Sequence, residues 1–187
     1  MDQTTEVNVH IQSSVFDETQ LLKEVARGDP DALEALYQNH RKGIMATAYA
    51  AVRDDRLAED VLQETMLYIW RHAAEYRYDH NPKAWIYTIA RHKAVDLLRR
   101  NKNWTSVETF ENTAVPQPLT TTPDPDSEIT LRIGISKLGA LEAQVFVLKA
   151  IAGFDHSEIG KILGLSYRST HYRYRSAIRD LKRLLSE

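Results

Sequence analysis

Residues 104–127 constrain this chain more than any other stretch. They hold four of its six prolines and six threonines, with no lysine or arginine. Proline fixes its own backbone and biases the residue before it away from helix. Such a run reads as an extended, solvated tether. Helical periodicity stops at its start and resumes near Glu128. The chain is therefore expected to form two all-helical domains, residues 17–103 and 128–187, joined by a linker over 104–127. Residues 1–16 are polar, lack periodicity and read as a disordered arm.

Within the first block the helix signals are local and chemical. Leu21, Leu22 and Val25 form a short apolar stripe closed by Gly28. Asp29-Pro30 restarts a helix, with proline at the first helical position. Leu33, Leu36, Tyr37 and Ile44 follow at helical spacing. A break at Arg53-Asp54-Asp55 leads to a helix from about Arg56 to Ala74. Asn81-Pro82 opens another, with Ile86, Ile89, Ala90, Ala94, Leu97 and Leu98 on one face. No period-two strand pattern competes up to Asn103.

The C-terminal block carries a sharper pattern. Asp155 and Glu158 have the spacing of a capping box. Gly164 can end that helix in the left-handed conformation, and Ser166 can cap the next. Helix, glycine turn and capped helix at this spacing describe a helix-turn-helix. Gly160 is small where a second helix could cross closely. The segment SYRSTHYRYRS, 166–176, then packs three Tyr, three Arg and one His into eleven residues. At 100° per residue Thr170, Tyr174, Ala177, Ile178 and Leu181 share a packing face. Arg168, His171, Tyr172, Arg175 and Arg179 lie opposite, with Arg173 further to the side. A row of guanidinium forks and rings suits the edges and phosphates of duplex DNA. A solvated basic helix is the plain alternative.

Charge distribution agrees with that contrast. The net charge is only −2, yet residues 131–187 carry ten Lys+Arg against five Asp+Glu. Residues 83–102 carry six Lys+Arg and one acid, Asp96. In the helix 56–74, Asp60, Gln63, Glu64, Leu67 and Arg71 fall on one face. That stripe is either a solvent face or a protein-binding face whose carboxylates meet a basic partner. In the next helix Lys83, Tyr87 and Arg91 share an arc. The loop EYRYDHNP before it sets Tyr76 and Tyr78 around Arg77. Rings beside cations suit single-stranded DNA, and they also suit a packed connector.

Enzymatic chemistry is not expected. The chain has no cysteine, its seven histidines lack convincing metal spacing, and no nucleophile–base set or phosphate loop stands out. No catalytic residue, metal or cofactor is assigned. No run is long and apolar enough to span a bilayer and no signal peptide is evident, so the cytoplasm is the expected location.

Three blocks in this order resemble a known family: LAEDVLQETMLYIW, then NPKAWIYTIARHKAVDLLRR, then LGALEAQVFVLKAIAGFDHSEIGKILGLS. They resemble the bacterial sigma factors of the extracytoplasmic-function (ECF) class, across roughly Asp17–Leu185 apart from the linker. The resemblance implies docking of the N-terminal domain on core RNA polymerase, with Asp60, Gln63 and Glu64 in the docking helix. It implies that residues 76–83 capture a base flipped from the melted minus-ten element. Trp85, Arg91 and His92 would start the adjoining helix. It places Arg168, Ser169, His171, Tyr172, Arg173, Arg175 and Ser176 in the helix that reads the minus-thirty-five duplex. Promoter DNA, core polymerase and an anti-sigma factor are the implied partners. His92 stands where the family usually has Asn, Gly139 where it has Pro, and Thr170 where it has Val or Ile. Tyr172, Tyr174 and Arg175 are atypical. The other readings are a stand-alone helix-turn-helix regulator and an adaptor that binds only protein.

Overall fold

The computed structural model describes residues 18–104 and 125–184. The arm expected over 1–16 and all of the linker segment 105–124 lie outside the described residues. Among the described residues every regular element is a helix, with no strand. Helix α1 covers residues 18–26. It is followed by α2 (Pro30–Val52), α3 (Asp55–His72), a 3-10 turn (Ala73–Glu75) and α4 (Pro82–Trp104). The remaining helices are α5 (Pro125–Lys137), α6 (Ala140–Ala150), α7 (His156–Leu163) and α8 (Tyr167–Leu184).

Each boundary has a chemical cause. Gly28 turns α1 into α2 at φ +86°, a conformation that costs glycine nothing. The Asp29 carboxylate then accepts hydrogen bonds from the Asp31 and Ala32 amides, at 2.9 and 3.4 Å. Asp54 caps α3 by accepting from the Leu57 amide at 2.9 Å. Asn81 caps α4 through the Ala84 amide at 3.1 Å.

Helix α2 is the central element. Its second half buries Gly43, Ile44, Ala46, Thr47, Ala48, Tyr49 and Ala50 in succession. A helix buried on nearly every side needs neighbours on every side. Helices α3 and α4 pack on one flank and α6 on another. Gly43 allows the α4 contact, because a Cβ there would run into the Tyr87 side chain.

Helices on both sides of residues 105–124 share their cores. Leu36, Ile44, Ile69, Ile86 and Tyr87 form one cluster with Leu148, Phe154, Ile159 and Ile162. Ala46, Ala50 and Val61 form a second with Ile135, Phe146, Ala177 and Leu181. At the corner between α2 and α3, Arg132 from α5 is 1% exposed. Its guanidinium pairs with the Asp55 carboxylate and lies 4.4 Å from the centre of the Tyr49 ring. Arg53, at φ 60°, donates to the carbonyls of Ile135 and Leu138.

Phe154 links the two groups of helices. It is fully buried, meets the Tyr87 ring edge-to-face at 5.0 Å, and lies under the Lys83 ammonium at 5.2 Å. Truncating a buried aromatic costs about 3–5 kcal/mol. Phe154→Ala should therefore lower the stability of the full chain by roughly that amount in denaturant melts. An unchanged melt would mean that the shared core does not form.

Candidate nucleic-acid interface

The sequence pattern of α7, turn and α8 is realised atom by atom. The Asp155 carboxylate accepts from the Ser157 and Glu158 amides at 2.7 and 2.8 Å, and Glu158 accepts from the Asp155 amide at 2.8 Å. Gly164 turns the chain at φ +70°. Gly160 is required by the turn itself: a Cβ there would sit 2.7 Å from the Leu165 carbonyl oxygen. Ser166 accepts from the Ser169 amide at 3.2 Å.

Helix α8 is divided into a buried and an exposed face. Thr170, Ala177 and Leu181 are buried. The Thr170 hydroxyl, polar on a packing face, donates to the Ser166 carbonyl at 3.0 Å. Tyr174 is half-buried, packs against both clusters and stacks on Phe146 at 6.3 Å. Arg168, His171, Tyr172, Arg175 and Arg179 are exposed, and Ser169 and Ser176 are half-exposed. Ser176 accepts from the Arg179 guanidinium at 3.0 Å.

Arg173 departs from the outward set. It donates to the Glu142 carboxylate of α6 at 2.5 Å and is half-buried. A Cβ at Gly139 would meet the same Glu142 carboxylate, the mobile end of a side chain that Arg173 holds. Arg173 thus anchors α8 to α6 in this arrangement instead of projecting toward a ligand.

On α3, Asp60, Gln63, Glu64 and Leu67 are exposed, while Val61, Thr65 and Ile69 are buried behind them. Asp60 and Glu64 line a shallow groove shared with Lys93, Asp96, Leu97 and Arg100 of α4. Lys93 spans it, 3.5 Å from the Glu64 carboxylate and 5.0 Å from the Tyr68 ring centre.

The loop and α4 place the other sequence-predicted residues in two groups. Arg77, Tyr78 and His92 are exposed. Tyr76 and Tyr87 are buried, at 3% and 2% exposure, because each ring fills a core site. Tyr76 donates to the His80 carbonyl and packs on Trp85 at 5.1 Å. Burial, then the nearby Asp79, pushes its hydroxyl up to about 12. Tyr87 lies between Phe154 and His40, and burial raises its pKa as well. Lys83, Tyr87 and Arg91 do share the arc expected from their spacing, but the C-terminal helices cover it. Lys83 lies over Phe154, Arg91 donates to the Leu163 carbonyl at 3.3 Å, and Asn81 donates to Glu158 at 2.9 Å. Residue pattern alone does not single out Phe154, Glu142 or Tyr167, whose importance depends on partners distant in the chain or on exposure. Among the described residues, no cluster of three or more His, Asp or Glu could hold a metal, and no helix is long and apolar enough to cross a membrane.

Residues 36–105 match the family described as Sigma-70 region 2. The chain is 30% identical over 164 residues to the RNA polymerase sigma factor CarQ of Myxococcus xanthus, covering 86% of this chain and 92% of that protein. It is 27% identical over 171 residues to the ECF RNA polymerase sigma factor SigK of Mycobacterium sp. (strain KMS), covering 88% and 89%. The chain belongs to the ECF class of RNA polymerase sigma factors. Two solved structures share its fold. The sigma factor RpoE, in complex with the anti-sigma factor NepR from Bartonella quintana, superposes with a TM-score of 0.71 at 20% identity, over 82% of this chain and 96% of that one. CnrH, in complex with the cytosolic domain of CnrY, gives 0.64 at 23%, over 91% and 97%.

One titration follows from the helix-turn-helix of this sigma factor. His156 is held below its ordinary value of 6.5, first by burial, then by Lys149 and His171, with Asp155 acting the other way. A depressed imidazole binds fewer protons folded than unfolded. Its stabilisation is therefore present above the unfolded value and is lost as pH falls through the folded one. The melting temperature should drop between about pH 7 and pH 5, and less steeply in His156→Gln. Parallel pH profiles for the two proteins would contradict this assignment.

Proposed function

We propose that this sigma factor binds core RNA polymerase through the Asp60/Gln63/Glu64/Leu67 face and directs initiation at specific promoters. The α8 row reads the minus-thirty-five element as duplex. The 76–92 region opens the minus-ten element and holds its displaced strand. The exposed row Arg168, His171, Tyr172 and Arg175, fixed by a buried face behind it, is the observation that carries this reading. Family membership supports the polymerase partner. Because Phe154 and α7 cover Lys83, Tyr87 and Arg91, engagement of the minus-ten strand requires the C-terminal helices to move away. The twenty residues from 105 to 124 can span about 70 Å when fully extended, enough to allow it. The two solved neighbours are complexes with an anti-sigma factor and with a cytosolic partner domain, which favours an anti-sigma partner here as well. The site of action is the cytoplasm.

Run-off transcription with core polymerase tests this directly. Added sigma factor should give promoter-dependent transcripts. Arg175→Ala should lose about 1–3 kcal/mol of promoter affinity and relax preference at one minus-thirty-five position. Reversing the charge of Asp60 and Glu64 together should weaken polymerase binding, with stability changed by only about 0.5 kcal/mol. A chain that shifts promoter DNA equally well without polymerase, and yields no transcript with it, would instead be a stand-alone regulator.

A further inference from the structure

Tyr167, one of the three tyrosines of 166–176, belongs to neither face assigned to α8, yet it is 62% exposed at the first position of that helix. An exposed tyrosine ring ordinarily samples several rotamers. Here neighbouring rings fix its position. It stacks on His171, one turn further along α8, with centroids 6.4 Å apart and planes 11° from parallel. His156 from α7 meets both, at 5.8 Å from Tyr167 and 5.2 Å from His171. His156 in turn lies edge-on to Tyr174 at 5.5 Å. The cluster is thus rooted in the half-buried Tyr174 and ends in two rings at the surface. His156 Nε2 is buried without a hydrogen-bond partner, so ring packing holds this group in place of a polar bond. A ring fixed before binding loses little freedom on contact.

The position of the pair matters. In a helix-turn-helix, residues at the N-terminal end of the second helix meet base edges. Arg168 beside it supplies a cation, and the first turn holds no acid. The major-groove edge offers one apolar group, the thymine C5-methyl, which apolar surfaces recognise.

We propose that Tyr167 is a specificity-determining residue of this sigma factor: its ring, backed by His171 and His156, packs against a thymine methyl in the minus-thirty-five duplex. The proposal rests on α8 being the duplex-reading helix. It assigns Tyr167 the A·T preference and leaves guanine reading to the arginines.

The test uses holoenzyme assembled from core polymerase and the full chain, on a promoter it transcribes. Each minus-thirty-five thymine is replaced in turn by deoxyuridine, which removes only the methyl. At one position, wild-type affinity should fall about fourfold, the effect of one methyl leaving apolar contact. Tyr167→Ala should show a similar loss on the natural promoter and no further loss with deoxyuridine. Tyr167→Phe should keep the deoxyuridine effect. Unchanged melting of Tyr167→Ala would show that its fold is intact. If Tyr167→Ala stays as sensitive to deoxyuridine as wild type, or if no thymine matters, the proposal is overturned while the role of α8 stands. If Arg168→Ala and Arg175→Ala also leave affinity and its salt dependence unchanged, the reading of α8 fails with it.

Discussion

A guanidinium that reaches almost no water must find a counter-charge, and Arg132 finds one at the corner of α2 and α3. The cost of burying an ion is several kcal/mol unless it is paired, and removing one partner of such a pair costs about 3–5 kcal/mol. Asp55 supplies the charge and Tyr49 the ring face. Arg53 adds two hydrogen bonds to the end of α5. These contacts fix where the chain resumes after residues 105–124. Once α5 is fixed, α6 lies along the alanine-rich half of α2, and Phe154 reaches Tyr87. The placement of α7 and α8 follows from that.

This packing divides the proposed contact surfaces unequally. The α3 carboxylates and the outer row of α8 remain open, whereas Lys83, Tyr87 and Arg91 are covered. Many of the covering contacts are polar or lie at the rim. Asn81 to Glu158 and Arg91 to Leu163 each exchange readily with water, so they contribute modestly. The apolar part runs through both shared clusters, with Tyr87 and Phe154 at the α4 side. An interface of this kind holds a free chain together and still yields to a larger binding surface, because a ligand shifts such an equilibrium by its differential affinity for the two states.

What the sequence made legible was local. Asp29-Pro30, Asp155/Glu158, Gly164 and Ser166 gave caps and turns that the structure reproduces, since each acts within four residues. Helical period also separated Thr170, Ala177 and Leu181 from Arg168, His171 and Arg175. What was not legible depended on distant partners. Period placed Tyr87 on an arc with Lys83 and Arg91 but could not show that Phe154 would cover it. Arg173 lies toward one side of α8, and only Glu142, 31 positions earlier, decides where it points. Arg132 looked like one more cation in a basic block, because Asp55 is 77 positions away.

We propose that the free sigma factor, closed with its C-terminal helices over α4, opens on the promoter. The chain contains no cysteine, so a pair introduced at Ala74 and Lys161, both exposed and outside the proposed contact sets, can carry distance probes alone. The measurement is the distance between these probes in the free chain and in holoenzyme bound to promoter DNA. We expect one narrow, short distance in the free chain and a clearly longer one in the promoter complex. The same short distance in an actively transcribing complex, or a broad and long distribution in the free chain, would contradict the account.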